Sequence, residues 1–201
     1  MPKVTDEHAL ARRQQIIDAA YRCFARKGFH QTTMRDIYEE AQLSPGAVYH
    51  YFESKHDIIA ASFNFDYERS ISLFTAARAS DDPLGALKDL LGFLFDGLKG
   101  ASALGASRVN VQGWGEALIN PSLLETVRRT LNIYRDATTQ IIRRAQSRGQ
   151  IDREADPGAL ANALISLYYG LELQLALEPD LDVEKYAEVA RALLKPDLRP
   201  A

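Results

Sequence analysis

Apolar residues recur at three- and four-residue spacing along nearly the whole chain, and no stretch sustains the alternation of a strand. The pattern predicts an all-α protein of about nine helices. A first helix over about 6–27 turns Ile16, Ile17, Ala20 and Phe24 inward and stops at Gly28. Two short helices follow, and Ser54 then caps a long one over about 55–79. Asp82-Pro83, Asn120-Pro121 and Asp156-Pro157 each set a capping side chain before a proline at a first helical position, marking three later helix starts. The fifth helix (83–99) repeats leucine at 84, 87, 91, 94 and 98, with Phe93 and Phe95 widening its apolar surface. The glycine-containing stretch 100–115 reads as looser. A helix over 121–148 stops at Gly149, the next (157–177) is apolar almost all round, and the last runs over 182–195.

The two short helices occupy residues 32–55, TTMRDIYEEAQLSPGAVYHYFESK. Thr32 or Thr33 caps the first, whose inward face holds Ile37 and Ala41. Gln42-Leu43 is the turn, Ser44 an N-cap, and Pro45 the first residue of the second helix. There Val48 and Phe52 share one side, leaving Gly46, Ala47, Tyr49 and His50 on the other and Tyr51 at its edge. A helix entering a DNA major groove needs such a face: small residues first, so the backbone approaches base edges, then donors for the flanking phosphates.

The stretch resembles the helix-turn-helix of TetR-type transcriptional regulators, carried by Thr32-Thr33, Ile37, Ala41, Leu43-Ser44, Gly46, Val48-Tyr49, Tyr51-Phe52 and Ser54-Lys55. Two positions depart from the family pattern. Tyr38 replaces a small residue, and Gln42 replaces a glycine in the left-handed conformation, at a cost on the order of 1 kcal/mol. The resemblance implies that Tyr49, Tyr51, Lys55 and the helix starts at Thr33 and Ser44 bind phosphate, while Arg35, Pro45, Gly46, Ala47 and His50 face bases. Arginines near the start of the first helix, Arg12 and Arg13, are expected near phosphates. Residues 83–194, with Trp114, Glu116-Ala117, Pro121 and Asp156-Pro157, are similar to regulators of the betaine-pathway repressor type, which implies a ligand-binding and dimerisation domain. The expected division is a DNA-binding unit over 1–54 and a helical unit over 55–201.

Composition adds boundaries. The net charge of −3 advertises no polyanion partner, and the first sixty residues balance eight Lys/Arg against eight Asp/Glu, so DNA affinity rests on local placement of charge. Cys23, the single cysteine, excludes an internal disulfide. With no signal-peptide core at the start and no apolar run read as a membrane span, a cytoplasmic protein without a membrane partner is expected. His30, His50 and His56 show no metal-ligand spacing, and neither a nucleophile elbow nor a phosphate loop is present, so no catalytic residue, metal or cofactor is expected.

Aromatics in the long unit suggest a cavity with polar anchors, lined by Phe63, Tyr67, Phe93, Trp114, Tyr134 and Tyr168. For the dimer interface, Leu164, Leu167, Leu171 and Leu175 form a seam on one helix, and Tyr186, Val189 and Leu193 an apolar face on the last. The expected function is a homodimeric repressor that binds a palindromic operator in double-stranded DNA and is released by a small-molecule effector. The alternative is a DNA-bound adaptor of the same fold that binds a protein and takes no ligand.

Overall fold

The helix-start signals operate as the sequence implies. In the computed structural model, which describes residues 6–103 and 105–194 (side chains at 6–7, 62–71 and 100–103 excepted), the chain forms nine helices and no strand among the described residues. They are α1 (Asp6–Lys27), α2 (Met34–Glu40), α3 (Pro45–Tyr49), α4 (Lys55–Ala79), α5 (Pro83–Ala103), α6 (Ala106–Ile119), α7 (Pro121–Ser147), α8 (Pro157–Leu177) and α9 (Val183–Ala192). Asn120 accepts from the Leu123 amide at 3.2 Å, Asp156 from Ala159 at 2.6 Å and Asp182 from Lys185 at 3.2 Å. Asp82 accepts from Gly85 at 3.1 Å. Each of these side chains satisfies an amide that helix geometry leaves without a partner.

One element departs from the sequence reading. Residues read as loose form the end of α5 and most of α6. Gly105 adopts φ +70° at the start of α6, where an added Cβ would lie 3.2 Å from the Ala25 side chain. Glycine here makes the break between the two helices and lets α6 approach α1.

The buried apolar side chains fall into two clusters. One joins Ile16, Phe24, Phe29, Ile37, Val48, Phe52, Ile58 and Ile59 to Val109 and Ala117 of α6 and Leu123 of α7. The other gathers Phe74, Leu87, Leu91, Phe95, Leu98, Ile141, Ile142, Leu164, Leu171 and Leu175. Helix α4 packs against α1 at one end and against α5 and α7 along its length, while α8 lies on α6 and α7. By length and composition α8 is the one helix among the described residues apolar enough to cross a membrane, yet only 33% of its apolar window is buried in the chain. Its inner stripe faces the second cluster, and its outer stripe lacks a cover in a single chain.

Candidate DNA-reading face and domain junction

A capping box holds the start of α2. The Asp36 amide donates to Thr33 Oγ1 at 3.2 Å, and the Thr33 amide donates to Asp36 Oδ2 at 2.9 Å. The Lys27 ammonium, the Thr33 amide and the Thr33 hydroxyl hold the Asp36 carboxyl well below the ordinary carboxylate range. Gln42 takes the left-handed conformation at φ +55°, as its place in the turn requires, and the Leu43 amide closes the turn on the Tyr38 carbonyl at 3.0 Å. Ser44 Oγ accepts from the Ala47 amide at 3.2 Å, and Pro45 opens α3. Val48 and Phe52 are buried beneath it.

These constraints turn one face of α3 outward. Pro45, Gly46, Tyr49 and His50 are exposed and Ala47 is half-exposed. No atom lies within 4 Å of where a Cβ on Gly46 would sit, so the start of α3 is open to a partner. Tyr51 is half-buried with His50 edge-on at 5.0 Å. Arg35 is exposed and pairs with Glu39 at 2.8 Å. The later cations of α1 point elsewhere: Arg22 and Arg26 pair with Glu40 at 2.7 and 2.6 Å, and Lys27 pairs with Asp36. These cations fix α1 against α2. Arg13 lies over the Phe52 ring at 4.6 Å, whereas Arg12 donates to Gln15.

Lys55 corrects an expectation. Its ammonium donates to the carbonyls of Phe29, His30 and Thr32 at 2.6, 3.1 and 3.0 Å, which occupies all three of its N–H groups. It also sits over the Phe29 ring at 4.6 Å. Burial pushes its pKa down, partly offset by the negative charge of Glu116. Lys55 therefore staples the turn after α1 to the start of α4, and no donor remains for a phosphate.

Among the expected cavity residues, Trp114 and Tyr168 come together through Tyr169, whose ring lies 4.6 Å from Trp114 and 5.3 Å from Tyr168. Phe95 and Tyr186 continue that aromatic run. Tyr134 stacks on Phe74 at 5.4 Å. Phe93 does not belong: it is 55% exposed because it stands two residues from the inward Leu91 and Phe95, on the opposite side of α5. The side chains of Phe63 and Tyr67 lie outside the described residues. Sequence reading missed the polar groups beside the aromatics. Tyr21 donates to Asn110 Oδ1 at 2.7 Å, and Asn110 Nδ2 donates to the buried Glu172 at 2.6 Å. A carboxylate inside the Leu-rich α8 was the available signal.

The expected dimer seam needs a larger correction. Leu164, Leu171 and Leu175 are buried in the second core cluster, and Leu167 and Tyr186 pack against it. The Tyr186 hydroxyl donates to the Leu167 carbonyl at 3.0 Å. Their spacing makes one stripe, and that stripe faces the core built with α5, α7 and α9. What points outward is Leu173 and Leu177 on α8, the latter 73% exposed, together with Val189 on α9 and Leu193 at its C-cap.

Beneath the reading face, the turn after α1 meets α6. The Phe29 amide donates to Gln112 Oε1 at 2.8 Å. Glu116 lies 2.9 Å from His30 Nε2 and 3.6 Å from His56 Nε2. An open cleft of about 530 Å³ lies here, lined by Lys27 to Gln31 and by Gln112, Gly115, Glu116 and Ile119 of α6. Among the described residues no group of three or more His, Cys, Asp or Glu side chains is arranged to hold a metal ion.

Comparison with known proteins follows the same two parts. Residues 16–62 match the family described as bacterial regulatory proteins, tetR family, and residues 83–197 match the BetI-type transcriptional repressor, C-terminal family. The chain is 30% identical to the HTH-type transcriptional regulator TtgR of Pseudomonas putida, over 100% of this chain and 99% of that one. Its fold is similar to that of Salmonella enterica GusR, with a TM-score of 0.75, 26% identity and coverage of 96% and 97% of the two chains. It is also similar to a SmeT–triclosan complex, with a TM-score of 0.76, 24% identity and coverage of 92% and 90%.

Proposed function

The chain belongs to the tetR family of bacterial transcriptional regulators and is not an enzyme, and on that premise we propose a homodimeric repressor that grips a near-palindromic operator and lets go when a small molecule binds among its C-terminal helices. The observation that carries the reading is the open start of α3, where Gly46 and its neighbours present backbone to a partner on a frame of satisfied caps. Bases are read by Pro45, Gly46, Ala47, His50 and Arg35. Phosphates are held by Tyr49, Tyr51 and Arg13 and at the starts of α2 and α3 near Thr33 and Ser44. Residues 1–54 form the reading unit and 55–201 the ligand and dimerisation unit, with Ile58 and Ile59 of α4 packed into the core of the former.

One reading helix covers too few base pairs for a unique genomic address, so two are needed about one DNA turn apart. The outward apolar residues Leu173, Leu177, Val189 and Leu193 pair two copies. Each such side chain contributes about 1.5–3 kcal/mol when a partner covers it. The ligand lodges beside Trp114, Tyr168 and Tyr169, with Asn110 and Glu172 as polar anchors. The triclosan complex of SmeT supports this only as a ligand taken by a chain of the same fold.

Release follows from linkage. A coupling of about 1–3 kcal/mol between the two sites changes operator affinity about 5- to 150-fold, and operator must weaken ligand binding by the same factor. A ligand found by thermal-shift screening is therefore expected to bind more weakly in the presence of operator duplex, and calorimetric titration with and without the duplex measures this. Equal ligand affinity in the two titrations rules the coupling out.

A further inference from the structure

Glu116 is a carboxylate on α6 that is only 6% exposed. A carboxylate so placed needs partners for its oxygens. Two imidazoles from the other side of the junction reach it. His30 Nε2 lies 2.9 Å from one carboxylate oxygen and His56 Nε2 lies 3.6 Å from the other. His30 stands in the turn between α1 and α2, and His56 in the first turn of α4. One carboxylate thus touches two elements of the reading unit through its two oxygens. The Lys55 ammonium, which staples that same turn, adds its attraction. One helical turn earlier on the same face, Gln112 Oε1 accepts from the Phe29 amide at 2.8 Å. Val109 and Ala117, on either side, are buried in the reading unit's core.

We propose that Glu116 is a positioning residue that sets the angle between the DNA-reading unit and the C-terminal helices, by bridging His30 of the turn and His56 of α4. Helix α6 also carries Asn110 and Trp114, which contact Tyr21, Glu172 and Tyr169. A displacement of α6 at the ligand end is thereby felt at both imidazoles. A carboxylate suits the task because both of its oxygens accept. The amide of glutamine offers one acceptor and one donor, so it holds one imidazole and turns a donor toward the other.

The proposal rests on the regulator reading, and its test keeps the two separable. Nitroxides are placed at Glu53→Cys and Gln140→Cys, both exposed, while Cys23 is buried and out of reach of the label. With labelled chain diluted in unlabelled chain, electron–electron double resonance reads the distance within one chain. Wild type is expected to give one narrow distribution, and Glu116→Gln a broad or two-component one. His30 has an 80% exposed side chain, so its replacement carries little risk to folding. His30→Ala, which removes the contact, should broaden the distribution as Glu116→Gln does, and His30→Arg, which keeps an N–H donor within reach of Glu116, should narrow it again.

Affinity for a duplex that the wild-type chain selects from a random library should fall about 5- to 20-fold in Glu116→Gln and His30→Ala, and recover in His30→Arg. A merely structural carboxylate would lower the melting temperature and leave the distances as they were, and that result overturns the proposal. Tighter operator binding in the variants overturns it as well. Should Glu116→Gln not fold, the His30 pair decides. Should the chain bind no DNA, the distances alone decide, and only the regulator reading falls.

Discussion

Replacing Leu177 and Val189 together by glutamate is expected to leave a folded monomer whose operator affinity is weaker by about 100-fold or more, the scale on which two linked half-site contacts exceed one. Leu177 is 73% exposed and Val189 61% exposed, so neither change disturbs the core of a single chain. In the proposed dimer both side chains meet a second copy, and four like charges there oppose association. Sedimentation gives the oligomeric state and a gel-shift titration the affinity. Leu171→Glu should behave differently. Leu171 is fully buried beside Leu164 and Leu175, and losing a core leucine costs about 2–5 kcal/mol before the buried charge is counted. That variant should melt far below wild type or fail to fold. If Leu171→Glu gave a stable monomer while the double variant stayed dimeric, the interface assignment would be reversed.

The second large effect belongs to Lys55. Lys55→Met keeps an unbranched stem against Phe29 and removes the donor to three carbonyls. The expected loss is about 1.5–3 kcal/mol, the worth of hydrogen bonds to a charged group. For a chain of this size that lowers the melting temperature on the order of 5 °C. The salt dependence of operator binding should keep its slope, because the ammonium serves the fold and not a phosphate. Unchanged stability with a slope lower by about one unit would return Lys55 to the DNA.

These residues show what the sequence could and could not specify. Helix starts were legible because a cap followed by proline has a local cause. The left-handed Gln42 was legible for the same reason, since the turn demands that conformation whatever residue fills it. The leucine stripe of α8 was misassigned because that helix is apolar on both sides, and spacing alone does not say which stripe meets its own chain. Phe93 was placed in the cavity as one aromatic among several, although it stands two residues from the inward Leu91 and Phe95 and so faces the other side of α5. Helix α6 was hidden by its glycines, which as single residues lower helix propensity. Gly113 is nevertheless buried within it, and Gly105 provides the break before it. With α6 unread, Gln112 and Glu116 had no face to share, so the junction they build was invisible.

The central claim is that two copies of the Pro45–Tyr49 helix read DNA together, and selection from a random duplex library tests it most directly. Purified chain is incubated with the library, bound duplexes are recovered and sequenced over several rounds, and Ala47→Arg and His50→Ala are run alongside. The account predicts enrichment of a near-palindrome with half-sites about one DNA turn apart, and altered base preference within each half-site for the two variants. Recovery of no common sequence, or of one that both variants select unchanged, would contradict it.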